Sequence, residues 1–282
     1  MLKIAIPNKG SLSEDAVEIL RESGYKCKRY GRELSIVDKD NDIEFIFLRP
    51  RDIAVYVANG TLDLGITGQD LARDSKSKVK ELLQLGFGNS AFYYAVPKAE
   101  NLKPEGLSGL RIATSYPNIV LQDLERMGIS ATVIALDGAV EISIKLGVAD
   151  AIADVVSSGQ TLEEAGLKVI GGPIMKSEAI LIAHDDKCSE KKEVRILVDR
   201  LKGILVAKKY AVIEYDIPGE KLKDACAITP GIESPTVAPL AEANWSAVKS
   251  MVERKDINKI MDELKDIGAK GVIVMDIKTC RI

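Results

Sequence analysis

Residues 141–162 read EISIKLGVADAIADVVSSGQTL, and their pattern sets the architecture expected of the chain. Ala151, Ile152, Ala153, Val155 and Val156 are apolar at both odd and even positions, as in a strand covered on both faces. Asp154 interrupts that run, and an ionised carboxylate there is costly unless it lies at the strand end with partners. Ser157, Ser158 and Gly159 follow, small residues whose amides approach an anion closely. Thr161 with Glu164 fits a capping box, so the loop is expected to deliver its ligand to a helix N-terminus. An acid beside an anion cradle suits a sugar phosphate, the carboxylate taking hydroxyls and the amides taking phosphate. Capping alone also accounts for Ser157 to Thr161, because any parallel strand–loop–helix unit ends in small polar residues and a cap.

Outward from this stretch, strand and helix signals alternate. Lys3 to Pro7 reads as a strand, followed by a helix that Ser11 and Glu14 would open as a capping box and Gly24 would stop. Glu44 to Leu48 is a strong strand, Ile53 to Ala58 a helix, and Leu62 to Thr67 a strand ending in the turn Gly68–Asp70. This βαβ rhythm implies a parallel sheet with covering helices. A second α/β unit runs from about Ala91, with strands at Arg111 to Thr114 and Thr132 to Leu136 and a helix that Pro117 opens and Gly128 ends. Ala179 to Ala183 reads as a return strand towards the first unit, and Arg195 to Lys208 as a helix. Two such lobes leave a cleft between them, where ligands bind. From Tyr210 the order becomes βαββαβ, with a helix capped by Asp256 and ended by Gly268, which fits a small ferredoxin-like domain.

With 282 residues, 46% hydrophobic and 29% charged, the chain has the make-up of an ordinary globular protein with real cores. A net charge of −3 argues against a general nucleic-acid binder, while a local basic pocket still allows polyanionic substrates. No apolar run approaches the roughly 20 residues of a membrane helix, and the N-terminus enters a strand without a secretory signal's apolar core. Cys27, Cys188, Cys226 and Cys280 form no CxxC pair and read as free thiols of a reducing cytosol. His184 is the sole histidine, which rules out a histidine-rich metal site, and it reads as a strand-end or hinge residue. Gly86 to Ala91 matches the dinucleotide fingerprint GxGxxA but runs into the strand-like Phe92 to Val96, whereas that fingerprint must open a helix. A Walker A loop is absent.

Glu141, Gly147, Ala149, Ile152, Asp154, Val155, Ser158, Gly159, Thr161 and Leu162 stand as in the signature of the ATP phosphoribosyltransferases. The resemblance extends through IPNKGSL, FIFLRPRDIAVYV, DLGITGQD, RIATSYPN and ITPGIESPTVAPL, and the C-terminal part is similar to that of the family's long, self-sufficient form. It implies two periplasmic-binding-protein-like α/β lobes around a cleft plus a C-terminal ferredoxin-like domain. The expected division is residues 1–90 with 184–210 as the first lobe, 91–183 as the second, and 211–282 as a regulatory domain.

The resemblance implies a pentosyl transfer in which adenine N1 of ATP attacks the anomeric carbon of phosphoribosyl pyrophosphate, at the head of histidine biosynthesis. It implies Mg²⁺, inhibition by histidine, and a cytoplasmic homo-oligomer, dimer to hexamer. Ser157, Ser158, Gly159, Gln160 and Thr161 are expected on the sugar donor's phosphate, Asp154 on its ribose hydroxyls, and Glu141 on the ribose or a metal-linked contact. Lys9, Gly10, Arg49, Asp70 and Tyr116 fall to ATP. For these the residues alone leave other readings open: a solvated turn lysine, Arg49 or Arg51 paired with Asp52 or Glu44, an N-cap aspartate, a partly buried turn tyrosine. Carried over by position, Asp216, Ile232, Thr236, Met251 and Gly271 would line the histidine pocket. Two other classes share the two-lobe layout: an exported solute-binding protein and the sensor part of a transcriptional regulator. No export signal and no helix-turn-helix region is seen for either.

Overall fold

The computed structural model describes residues 1–29, 31, 33–156 and 160–281. The expected phosphate loop Ser157–Gly159 therefore lies outside the described residues. The chain divides into two compact units, Met1–Arg195 and Ile196–Ile282.

The first unit holds two mixed sheets. Its first strands and helices are β1 (Leu2–Pro7), α1 (Ser11–Glu22), β2 (Ser35–Asp38), β3 (Ile43–Leu48), α2 (Pro50–Ala58), β4 (Leu64–Gly68), α3 (Gln69–Asp74) and β5 (Lys80–Gln84). Next come β6 (Ser90–Pro97), β7 (Arg111–Thr114), α4 (Pro117–Met127), β8 (Thr132–Ala135), α5 (Ile142–Lys145), β9 (Ala151–Val156), α6 (Gln160–Glu164) and β10 (Leu167–Ser177). The chain then returns as β11 (Ala179–Ala183), followed by α7 (Asp186–Glu190) and α8 (Lys192–Lys209). The first sheet has the order β2-β3-β1-β4-β11-β5 and the second β10-β6-β9-β7-β8.

The first sheet has a parallel centre, β3-β1-β4, flanked by antiparallel strands, and the second has a parallel half, β9-β7-β8, which the antiparallel β6 and β10 extend on one side. The expectation of a parallel sheet is thus corrected: β2, β5 and β10, which have no strong run of alternation, and the return strand β11 make both sheets mixed. A hairpin neighbour needs no crossover helix, so the βαβ rhythm reveals only the parallel parts. Two segments cross between the sheets, 85–89 and Glu178, and they are bonded to each other. Leu85 N donates to Ala179 O (2.9 Å), Ala179 N to Phe87 O (2.8 Å), and Gly86 N to the Glu178 carboxylate (2.8 Å). The GxGxxA look-alike is part of this crossing and runs into β6, as its context indicated.

Helix α2 begins with Pro50 at its first position and turns Ile53, Ala54 and Val57 inward onto Ala5, Ile180 and Ile182 of the first sheet. The second sheet is built on Phe92, Tyr94, Val96, Ile112, Ala151 and Ala153, with Ile119, Val120 and Leu124 of α4 laid over it. At the start of the paired strands β7 and β9, Arg111 donates from Nε and Nη2 to both carboxylate oxygens of Asp150 (3.0 and 2.7 Å). These bonds hold the Asp150 carboxyl down to about 2. A depressed carboxylate contributes stability above its ordinary value and loses it as the pH falls through the folded one. Urea midpoints measured between about pH 5 and 2 are therefore expected to fall less steeply in Asp150→Asn than in the parent.

Two capping expectations are corrected. Helix α1 starts at Ser11 itself, with Gly10 at the N-cap and no side-chain cap bond, so Ser11 and Glu14 make no capping box. Thr161 is the second residue of α6 rather than the residue before it, and the bond seen in α6 is Gln160 Nε2 to Glu164 Oε1 at 3.0 Å. His184 follows β11 directly, its Nδ1 3.0 Å from Val57 O. All four cysteines are free thiols.

In the second unit β12 (Tyr210–Pro218), α9 (Leu222–Ile228), β13 (Thr236–Pro239), β14 (Trp245–Glu253), α10 (Ile257–Asp266) and β15 (Lys270–Asp276) form an antiparallel sheet, order β13-β14-β12-β15. This is the βαββαβ topology expected. Strand β12 alternates strictly, burying Ala211, Ile213, Tyr215 and Ile217 against the two helices. Asp256 precedes α10 without capping it through its side chain.

Candidate active site

Because β1, β3 and β4 run parallel and adjacent, their C-terminal ends share one edge of the first sheet. The residues that follow those ends, Lys9 and Gly10, Arg49 to Asp52, and Gln69 to Asp70, therefore come together there. In the second sheet, the parallel pair β7 and β9 brings Tyr116, just past the end of β7, to the same edge as the C-terminal half of β9. The side chains that converge are Arg51, Asp70, Tyr116, Glu141 and Asp154.

Asp154 is part of β9, two residues before its end and opposite Tyr93, not at the strand terminus. Its Oδ1 accepts from Val155 N at 2.7 Å. Burial raises its pKa, the carboxylates of Glu141 and Asp70 push the same way, and Val155 N–H and Arg51 oppose them. Among the described residues, Val155 N–H is the one hydrogen-bond donor shown to this carboxylate, which leaves it suited to hydroxyls or a cation.

Asp70 lies in the first turn of α3 and is buried, rather than forming an N-cap. Ser177 Oγ donates to its Oδ1 (2.9 Å) and accepts from its backbone N–H (3.0 Å). Gly68 makes room for that carboxylate, because a Cβ at 68 would collide with Asp70 Oδ1. Tyr116 stands at the N-cap of α4, its ring edge-on to Phe92 (5.2 Å between centroids) and its face covered by Arg51 (Cζ 5.0 Å from the centroid). Burial raises the pKa of its phenol, and the facing carboxylate of Asp70 adds to that. One ring face is therefore taken by a guanidinium, so a base stacking there would have to use the other.

Arg51 pairs with Asp74 (3.3 Å), not with Asp52 or Glu44. Arg49 is exposed at the N-cap of α2, and Lys9 is exposed in its turn. Gln160 and Thr161 are exposed on α6, and Ser157, Ser158 and Gly159 lie outside the described residues. The sequence reading passed over Asp74, Ser177 and Tyr93. Only the DxxxD spacing of Asp70 and Asp74 in α3, which puts both on one helix face, hinted at the first. A cavity of about 760 Å³ adjoins this ground, lined by Gln69, Tyr93, Val156, Lys176, Ser177 and Glu178 among others. It touches neighbours of Asp154 and Asp70 but not those residues themselves, and its volume suits a nucleotide or sugar phosphate.

Among the described residues no group of three or more His, Cys, Asp or Glu is gathered to hold a metal. Glu141 is close enough to Asp154 to raise its pKa, so the two carboxylates face common ground. No described helix is long and apolar enough to cross a membrane.

In the second unit Asp216, Thr236 and Met251 share the open face of the sheet, in the rows of Asp216–Ala247, Lys249–Thr236 and Val212–Met251. Asp216 and Met251 are four residues apart in register, about 13 Å along the strands. Gly271 is at a register shift of β15 with φ +59°, where a Cβ would lie 3.8 Å from Asp216 Oδ2. Ile232 is exposed in the loop before β13. Asp216 and Gly271 are brought together; the five residues do not converge on a point within one chain.

The ATP phosphoribosyltransferase family model matches residues 49–203, and the model of the HisG C-terminal domain matches 207–279. An ATP phosphoribosyltransferase of Salinibacter ruber is 54% identical over 283 residues, covering 100% of both chains. One from Mycobacterium tuberculosis is 53% identical, again over 100% of both. Among solved structures, a chain of the ATP phosphoribosyl transferase (HisG:HisZ) complex from Thermotoga maritima superposes with a TM-score of 0.62 at 28% identity, covering 72% of this chain and 99% of that one. Full-length identity above one half, with the two domain models following one another along the sequence, makes this chain a member of the ATP phosphoribosyltransferase family.

Proposed function

We propose that the chain transfers the 5-phosphoribosyl group of phosphoribosyl pyrophosphate to N1 of the adenine of ATP, as the first step of histidine biosynthesis, in the cleft around Asp154. The observation that carries the site is a partly buried acid, held among the described residues by Val155 N–H, with Glu141, Asp70, Arg51 and Tyr116 gathered near it.

Adenine N1 already holds a lone pair at neutral pH, so attack on the anomeric carbon needs alignment more than a general base. As the bond to pyrophosphate breaks, positive charge grows on the ribosyl ring. Asp154, ionised and fixed by Val155 N–H, is aimed at the ribose hydroxyls and stabilises that charge. In this reading Ser157, Ser158, Gly159, Gln160 and Thr161 take the 5-phosphate. Lys9, Gly10, Arg49, Asp70 and Tyr116 face ATP, with Arg51 beside them. Mg²⁺ enters as the counter-ion of the donor's pyrophosphate and supplies charge neutralisation, with Glu141 the chain's own candidate to face it.

The C-terminal sheet is read as the histidine-sensing module, with Asp216 for the ligand's ammonium and Thr236 for a hydroxyl contact. The spread of Ile232, Thr236 and Met251 away from Asp216 favours a pocket completed by another copy, and with it a cytoplasmic homo-oligomer. The match to the Thermotoga chain over only 72% of this one supports a form that carries its regulatory domain in cis. Purified protein mixed with ATP, phosphoribosyl pyrophosphate and Mg²⁺ is expected to release pyrophosphate only when both substrates are present. Release without ATP, or none at all, overturns the assignment.

A further inference from the structure

We infer that Asp74 is a positioning residue, a latch between the two lobes that holds the Arg51–Tyr116 stack in place for the nucleotide. It ends α3 of the first lobe and is 5% exposed. Its Oδ1 accepts from the backbone N–H groups of Asn118 (2.9 Å) and Ile119 (3.1 Å), at the start of α4 in the second lobe. Its Oδ2 faces Arg51 Nη1 at 3.3 Å, and its backbone carbonyl accepts from Asn118 Nδ2 at 2.7 Å.

Helix α4 lacks a local cap. Tyr116 at its N-cap makes no side-chain cap bond, Pro117 has no N–H to offer, and Val120 N already bonds Tyr116 O. The donors left over are those of Asn118 and Ile119, and a carboxylate from the other lobe takes both. A buried negative charge at a helix N-terminus, paired with a guanidinium, is held from three sides.

The consequence reaches the cleft through two routes. Arg51, tied to Asp74, lies over the Tyr116 ring, and Tyr116 is itself the N-cap residue of the helix whose first free N–H groups Asp74 takes. Asp70 and Asp74 are one turn apart on α3, so the same helix face sets Asp70 against the Tyr116 hydroxyl and Asp74 against the turn below it. A carboxylate that only stabilised the fold would not need to hold the arginine that covers the tyrosine.

This inference rests on the cleft being the transferase site, so kinetics of each variant are read beside the parent. Asp74→Asn is expected to raise the KM for ATP about tenfold and leave that for phosphoribosyl pyrophosphate within about twofold. Arg51→Met is expected to do the same, and the double variant to be no worse than the more damaging single one by more than about twofold. Multiplying effects, or parent-like kinetics with only a lowered Tm, would make Asp74 structural and overturn the latch. Should Asp74→Asn not fold, Asn118→Ala decides: it removes one latch bond and no charge, and is expected to raise the KM for ATP about threefold. An unchanged KM there overturns the inference. A parent that releases no pyrophosphate removes the substrate assignment and the inference with it, whereas an active parent with indifferent variants removes the inference alone.

Discussion

Asp154→Asn is expected to lower kcat by about two orders of magnitude, the usual cost of removing one preorganised electrostatic group, while leaving a well-folded protein. The substitution keeps the shape of the side chain and an acceptor for Val155 N–H, so β9 has no reason to move. What disappears is the negative charge facing the ribosyl cation. Stability should move the other way. Burial raises the Asp154 pKa, so the native state holds that proton more tightly than the unfolded chain does. The group therefore contributes stability below its ordinary value and loses it as the pH rises through the folded one. Above the folded value the parent carries a buried ionised acid that asparagine does not, and there the variant's Tm is expected to equal or exceed the parent's. The same ionisation gives the parent an acidic limb in its pH–rate profile, with activity rising as Asp154 loses its proton. Loss of that limb in Asp154→Asn is the specific sign; a variant with kcat within twofold of the parent takes Asp154 out of the chemistry.

The second large effect concerns regulation. In the full chain, Asp216→Ala is expected to raise the histidine concentration for half-inhibition by at least about tenfold, the size of a typical coupling energy, with kcat in the absence of histidine unchanged. Asp216 projects from the open face of the C-terminal sheet beside the register shift at Gly271, where the bulge leaves room next to its carboxylate. Its removal deprives the ligand's ammonium of a counter-charge and alters no residue of the first unit. Ending the chain after Lys209 is expected to abolish the inhibition altogether. Histidine sensitivity that survives both changes would place the effector elsewhere.

How far the residues spoke for themselves can be traced element by element. Strand β9 was legible because five apolar residues at both parities mark a two-sided strand, and β1, β3 and β4 were legible for similar reasons. The C-terminal βαββαβ order was legible because α10 carries a clean apolar face, Ile257, Ile260, Met261, Leu264 and Ile267. Strands β2, β5 and β10 were not. They sit at sheet edges, where one side of the ladder faces solvent and selection for apolar pattern is weak. The capping boxes at Ser11 and Thr161 failed because a Ser/Thr-x-x-Glu spacing recurs one residue inside a helix as easily as at its cap.

The sequence by itself determined the family, because the resemblance runs along nearly the whole chain, and it pointed to the acid at 154 through a charge set in an apolar strand. Only the tertiary structure decided which arginine faces Tyr116, that Asp70 is buried and held by Ser177, and that Asp74 caps a helix of the other lobe. Those relations join residues 44 to 107 positions apart. A hydrogen bond over that separation leaves no periodic trace in the chain, because it exists only once two sheets have brought the strand ends together.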